Sequence, residues 1–207
     1  MYQAKTAGRA FGTIQGKGKF EMNPPILFAA AEQAIASPAR NAILVKVRLV
    51  LAQNALFQSA ARPRRYAGMA VAHYSAGMEY GYHIDDAIID GSRSDVSFAL
   101  CLSKPSEYEG GDLIIDDPME ERAVRLDAGQ MVLYPSNTLH RVAPASSGTR
   151  LVVIGWVTSW IADPARRAIL FDLDQSASEL YAAGAKDMAL NRIHRVRSNL
   201  LRLWADG

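Results

Sequence analysis

The chain has 207 residues, 49% of them hydrophobic and 21% charged, with a formal net charge of +2. That length supports one substantial core rather than two domains of ordinary size, and the near balance of charge argues against nucleic-acid or membrane partners. A single cysteine, Cys101, excludes an internal disulfide framework and fits a reducing, cytoplasmic location; no apolar run approaches the roughly 18 residues that cross a bilayer, and Met1 to Lys5 lacks a cationic start leading into an apolar leader.

In chain order, Gly16-Lys17-Gly18-Lys19 lacks the glycine frame and the Lys-Ser/Thr ending of a phosphate loop and reads as a flexible loop. Pro24 and Pro25 precede an Ala-rich helix expected over Ile26 to Ser37. Ser37-Pro38 then opens a second helix, with serine as its cap and proline where a missing N–H is harmless. Ile43, Leu44, Val47, Val50 and Leu51 keep helical spacing along it.

From Arg64 the period becomes two. Strands are expected over 65–75 and 79–85, and the cleanest alternation sets Val96, Phe98, Leu100 and Leu102 against Ser97, Ala99, Cys101 and Ser103. Cys101 is a small structural side chain in that strand, since no base stands beside it. Glu109-Gly110-Gly111-Asp112 marks a tight turn or bulge. Leu113 to Ile115, Arg122 to Leu126, Gln130 to Tyr134, Leu139 to Ala143 and Thr149 to Trp160 follow as short strands between turn signals. Such a series indicates a sandwich or jelly roll. Asp163-Pro164 starts another helix, and Leu190, Ile193, Val196, Leu200 and Trp204 form one face of a C-terminal one. Arg192, Arg195, Arg197 and Arg202 read as its solvated face, with His194 a surface residue among them. The expected fold is mainly β with flanking helices: a jelly-roll domain over 1–160 with N-terminal helices, and a helical extension over 161–207 packed on it.

The chemistry centres on His83-Ile84-Asp85. In an extended segment both side chains project from one face about 7 Å apart, a neutral imidazole beside a carboxylate. A second histidine would complete a 2-His-1-carboxylate face suited to Fe(II). The triplet alone is weak, arising by chance in about one chain in four of this composition. His140 is the better partner, because it follows the turn Pro135-Ser136-Asn137 that delivers a strand start. His73 adjoins Tyr74, and if Tyr74 faces a cavity, His73 faces the other side as a packing or surface residue. Arg150 heads the apolar run Leu151-Val152-Val153-Ile154, where a guanidinium is costly to desolvate unless a carboxylate meets it.

Taken together, Tyr74-x5-Tyr80-x2-His83-x-Asp85, then Tyr108-Glu109-Gly110-Gly111-Asp112-Leu113, then Leu133-Tyr134-Pro135-Ser136 leading to His140, and finally Arg150, resemble the Fe(II)/2-oxoglutarate dioxygenases. The likeness is greatest to the bacterial PKHD-type hydroxylases, relatives of prolyl and lysyl hydroxylases, and runs from about residue 40 to the C-terminus. The resemblance implies a double-stranded β-helix (a jelly roll) with His83, Asp85 and His140 as catalytic iron ligands. It also implies Arg150 on the far carboxylate of 2-oxoglutarate, assisted by Tyr74. The implied reaction hydroxylates a substrate with dioxygen, releases succinate and CO2, and uses L-ascorbate to rescue oxidised iron. Asp85 argues for hydroxylation over halogenation, since related halogenases lack that carboxylate. Such proteins usually carry a further helical segment ahead of the region of Thr6 to Asn23, where this chain begins. The rival reading is a cupin-like metal-binding jelly roll without 2-oxoglutarate turnover. The substrate stays open between a small molecule and a peptidyl proline or lysine, and a homodimer is possible.

Overall fold

A computed structural model describes residues 12–14, 37–117, 120–185 and 188–205. The expected helix over Ile26 to Ser37, apart from its last residue, and the loop at Gly16 to Lys19 lie outside them. The second expected helix is present as α1 (Ser37–Gln53). It is followed by α2 (Ala55–Ala61), a helix the periodicity did not suggest; the Asn54 side chain accepts the Phe57 N–H at 2.9 Å and so starts it.

Strands β1 (Gly12–Ile14), β2 (Pro63–Ser75), β6 (Val96–Cys101), β10 (Met131–Pro135) and β12 (Ala145–Ser159) share one sheet, ordered β1-β10-β6-β12-β2. The short β7 (Tyr108–Gly110) pairs with the start of β12. Strands β3 (Tyr80–His83), β8 (Leu113–Asp117), β9 (Glu120–Val124) and β11 (His140–Val142) make the second sheet, ordered β3-β11-β8-β9. Strands β4 (Ile88–Ile89) and β5 (Ser92–Arg93) form a small hairpin. Every pairing is antiparallel, and the chain changes sheet between β9, β10, β11 and β12, which is the winding of a jelly roll.

Strand β6 shows why the larger sheet folds this way. Its register places Ser97, Ala99 and Cys101 opposite Trp156, Ile154 and Val152 of β12, so small side chains line the inner face and leave room within the barrel. The bulky Phe98 points outward, where its ring meets Phe57 of α2 edge-on at 5.7 Å and Tyr66 at 6.3 Å. Gly155 lies opposite Phe98, and a Cβ there would stand 2.5 Å from the ring. The alternation read from sequence is therefore a division between a cavity-lining face and a helix-covered face.

Two differences from the expected elements bear on function. The strand expected over 79–85 ends at His83, because the Asp85 N–H donates instead to the Ser136 carbonyl at 3.1 Å and draws the chain out of the sheet. The arginine face expected to be solvated is only partly so: on α4 (Met188–Trp204), Arg197 pairs with Asp174 of α3 (Pro164–Ala182). Asp174 also accepts from Arg62 at 2.6 Å and from Ser59 at 2.5 Å, tying both C-terminal helices to α2 and the start of β2. Asp163 caps α3, accepting from the Ala165 and Arg166 N–H groups at 2.7 and 3.2 Å ahead of Pro164. No described helix is long and apolar enough to cross a membrane.

Substituting Gly155→Ala forces Phe98 out of its aromatic packing and is expected to cost about 1–3 kcal/mol in urea unfolding. Substituting Asp174→Ala leaves the buried Arg62 without this carboxylate, and a loss of about 3–5 kcal/mol is expected by the same measurement. A loss well under 1 kcal/mol at either position contradicts the packing described.

Candidate metal centre

Residues directly opposite one another on antiparallel strands share a face of the sheet. The β3–β11 register sets His140 opposite His83, and both rings project into the barrel with centroids 4.0 Å apart. Asp85, just beyond the end of β3, completes the group: one ligand atom from each of His83, Asp85 and His140 lies within 4.8 Å of the others. No other such group occurs among the described residues.

Both imidazoles are oriented by the backbone. His83 Nδ1 lies 2.8 Å from the Gly81 carbonyl, and His140 Nδ1 lies 2.8 Å from the Thr138 carbonyl. A carbonyl only accepts, so each Nδ1 carries the proton and each Nε2 presents a lone pair, the tautomer a metal requires. His140 is fully buried, and burial pushes its pKa down to about 4, which keeps the ring neutral. Tyr134 approaches His140 Nε2 through its hydroxyl at 3.3 Å, and Tyr80 packs edge-on against the His83 ring with centroids 4.0 Å apart.

Asp85 is pulled two ways. Burial, the largest influence, pushes its carboxyl above the ordinary carboxylate range, against hydrogen bonds from the Ser97 hydroxyl and the Trp156 side chain that pull it down. The Ser97 and Ser94 hydroxyls each lie 2.8 Å from that of Ser136, whose carbonyl receives the Asp85 N–H. These partners orient the carboxylate from the larger sheet while the imidazoles come from the smaller one. Two neutral nitrogens and one oriented carboxylate fit Fe(II) or a similar divalent ion and leave the opposite coordination positions open.

Arg150 and Tyr74 are paired across β12 and β2, with the guanidinium 5.5 Å from the centre of the tyrosine ring. Arg150 is only 1% exposed and Tyr74 is buried. Both share the inner face with Val152, Ile154 and Trp156, so they lie in the same cavity as the triad, toward its other end. Arg150 is well inside β12 rather than at its head. His73 takes the opposite face of β2 and meets only Ser75, at 3.0 Å among the bonds resolved for it, in keeping with a packing role. Ser97, Ser136, Trp156 and Tyr134 were not singled out by sequence reasoning. Tyr134 and Ser136 stand in the motif leading to His140, which is the one signal that could have found them.

The description "2OG-Fe(II) oxygenase superfamily" belongs to a family whose pattern matches residues 69–158, and "PKHD-type hydroxylase C-terminal domain" to one matching residues 164–206. A PKHD-type hydroxylase of Picosynechococcus sp. PCC 7002 is 46% identical over 84% of this chain and 79% of its own length. Another from Maricaulis maris is 42% identical over 86% of this chain and 81% of its own. A solved Pseudomonas putida prolyl-4-hydroxylase overlays with a TM-score of 0.41 and 28% identity, covering 56% of this chain and 63% of that one.

In the metal-free protein the sign of one pH effect follows from His140. Its folded pKa of about 4 lies below the ordinary 6.5, so the unfolded chain takes up the proton first as pH falls. Stability is full above about pH 6.5 and declines toward pH 4 by up to about 3 kcal/mol. Urea midpoints of metal-free protein should fall from pH 7 to pH 5, with a shallower fall in His140→Leu; equal slopes in the two proteins contradict the burial of a neutral ring.

Proposed function

Because the chain belongs to the PKHD-type hydroxylases of the 2OG-Fe(II) oxygenase superfamily, we propose that His83, Asp85 and His140 hold its ferrous ion and that Arg150, with Tyr74, holds 2-oxoglutarate. The protein is an Fe(II)- and 2-oxoglutarate-dependent dioxygenase that hydroxylates a substrate with release of succinate and CO2. The observation that carries the ligand assignment is the convergence of two imidazoles and one carboxylate within 4.8 Å from strands far apart in sequence.

Bound iron and 2-oxoglutarate supply the oxidation, in which one oxygen atom of dioxygen ends in succinate and the other in the substrate hydroxyl. The chain's own residues bind and orient. Gly81 and Thr138 carbonyls hold the two imidazoles in the ligating tautomer, and Ser97 and Trp156 steady the Asp85 carboxylate. The planar fork of Arg150 matches the distal carboxylate of the co-substrate in a charge-assisted pair, made strong by burial. Ser97, Ala99 and Cys101 keep the cavity floor low enough for a ligand to lie over it. The same reading takes ascorbate as the reductant that restores ferrous iron and places the enzyme in the cytoplasm. It also treats residues 161–207 as a helical extension docked on the jelly roll through Asp174. The substrate remains within the small-molecule and peptidyl classes, and the cupin-like alternative is set aside by the family match.

Substituting Asp85→Ala is expected to abolish both Fe(II) binding and substrate-independent succinate formation, with the far-ultraviolet spectrum unchanged; wild-type turnover would refute the assignment. Substituting Arg150→Gln is expected to raise the KM for 2-oxoglutarate about tenfold or more, the loss of a charged hydrogen-bond pair, with Fe(II) affinity nearly constant. Equal loss of both affinities would make Arg150 structural.

A further inference from the structure

We propose that Tyr108 is a further co-substrate-binding residue, whose hydroxyl donates a hydrogen bond to the far carboxylate of 2-oxoglutarate beside the Arg150 guanidinium. The inference rests on the metal and co-substrate reading above and adds a residue to it. Its basis is where three strands meet on the inner face of the larger sheet. Arg150 stands two residues before Val152 on β12, and Val152 is opposite Cys101 of β6. Cys101 is therefore the diagonal neighbour of Arg150, at a spacing that a long side chain spans. The Tyr108 hydroxyl comes to the same place from β7, 4.0 Å from the Cys101 sulfur. The turn that follows β7 touches Arg150 directly, since a Cβ on Gly111 would stand 3.5 Å from Arg150 Cδ.

Tyr108 is held as a fixed donor. It is only 4% exposed, and the Arg125 guanidinium lies 4.6 Å from the centre of its ring. Arg125 also donates to the Tyr108 carbonyl at 2.7 Å and to Asp112 at 3.1 Å, which fixes the backbone beneath the ring. Strand β7 comes this close to β12 because Tyr108 faces a glycine: a Cβ on Gly148 would stand 2.8 Å from Tyr108 Cα. Burial, the largest influence, pushes the phenol above its ordinary range, while the nearby charge of Arg150 pulls it down, so the hydroxyl keeps its proton at neutral pH.

What that hydroxyl meets in the protein is poor. Buried tyrosine hydroxyls usually find a strong partner. Among the described residues this one meets a thiol sulfur, a weak acceptor, whose own proton is directed to the Ser103 carbonyl at 3.3 Å. A carboxylate oxygen is a far stronger acceptor, so trading the sulfur for it is favourable. The carboxylate gains equally. It offers about four lone-pair sites, more than one planar fork engages, and in a buried site those left without a donor are costly. The small Cys101 side chain leaves the space in which the two can meet.

The test uses full-length protein loaded anaerobically with Mn(II) and compares two ligands by calorimetry: 2-oxoglutarate, and 2-oxopentanoate, which carries a methyl group in place of the far carboxylate. Tyr108→Phe is expected to weaken 2-oxoglutarate binding about tenfold and to leave 2-oxopentanoate within about twofold of wild type. A merely structural role would weaken both alike. A second measurement keeps the hydroxyl: 3-fluorotyrosine in place of Tyr108 should shift its fluorine resonance on addition of 2-oxoglutarate and not of 2-oxopentanoate. Unchanged 2-oxoglutarate affinity in Tyr108→Phe, equal weakening of both ligands, or a fluorine resonance that answers both ligands alike would overturn the proposal. Wild-type affinities keep the two levels apart: if wild type binds 2-oxoglutarate and the Tyr108 tests fail, only the Tyr108 role is removed, whereas wild type that binds Mn(II) but not 2-oxoglutarate removes the co-substrate reading and this inference with it.

Discussion

The antiparallel pairing of β3 with β11, which sets His83 against His140, is the contact on which the rest of the site depends. A shift of one residue would turn one imidazole to the outside of the barrel, because successive side chains alternate faces. The bond from the Asp85 amide to Ser136 fixes the same register from the other side by bringing the end of β3 to the turn that precedes His140. Two imidazoles and a carboxylate whose ligand atoms lie within 4.8 Å of one another make a donor set of the kind that suits a divalent cation. Here the pairing that orders the smaller sheet is also the one that brings the two imidazoles together.

The surrounding architecture holds that register rigid. Strand β6 presents Ser97, Ala99 and Cys101 inward and Phe98 outward, so one strand helps make both the cavity and the helix-covered surface. The C-terminal helices are anchored by Asp174, which gathers Ser59, Arg62 and Arg197 at one point. A partly buried carboxylate with three donors is well satisfied, and its value lies in fixing where the helices dock.

Much of this was legible in the residues before any coordinates. The alternation from Val96 to Ser103 gave β6 and its two faces, the Ser37-Pro38 and Asp163-Pro164 starts gave α1 and α3, and the His83-x-Asp85 triplet with His140 named three residues whose ligand atoms lie within 4.8 Å of one another. What stayed hidden depended on pairings between distant segments. The end of β3 at His83 is set by a bond to Ser136, and the roles of Ser97, Trp156 and Tyr134 exist only once the two sheets face each other. Helix α2 is two turns long, too short for periodicity to register, and β4, β5 and β7 are shorter still. Arg197 looked like one more solvated charge because its partner, Asp174, belongs to another helix.

Iron K-edge X-ray absorption of the anaerobic Fe(II) protein tests the central claim most directly, since it reads the ligands without waiting for a substrate. The account expects a six-coordinate nitrogen and oxygen shell with the outer scattering of two imidazoles, one of them lost in His140→Gln. A spectrum with one imidazole or none, or one unchanged by that substitution, would contradict it.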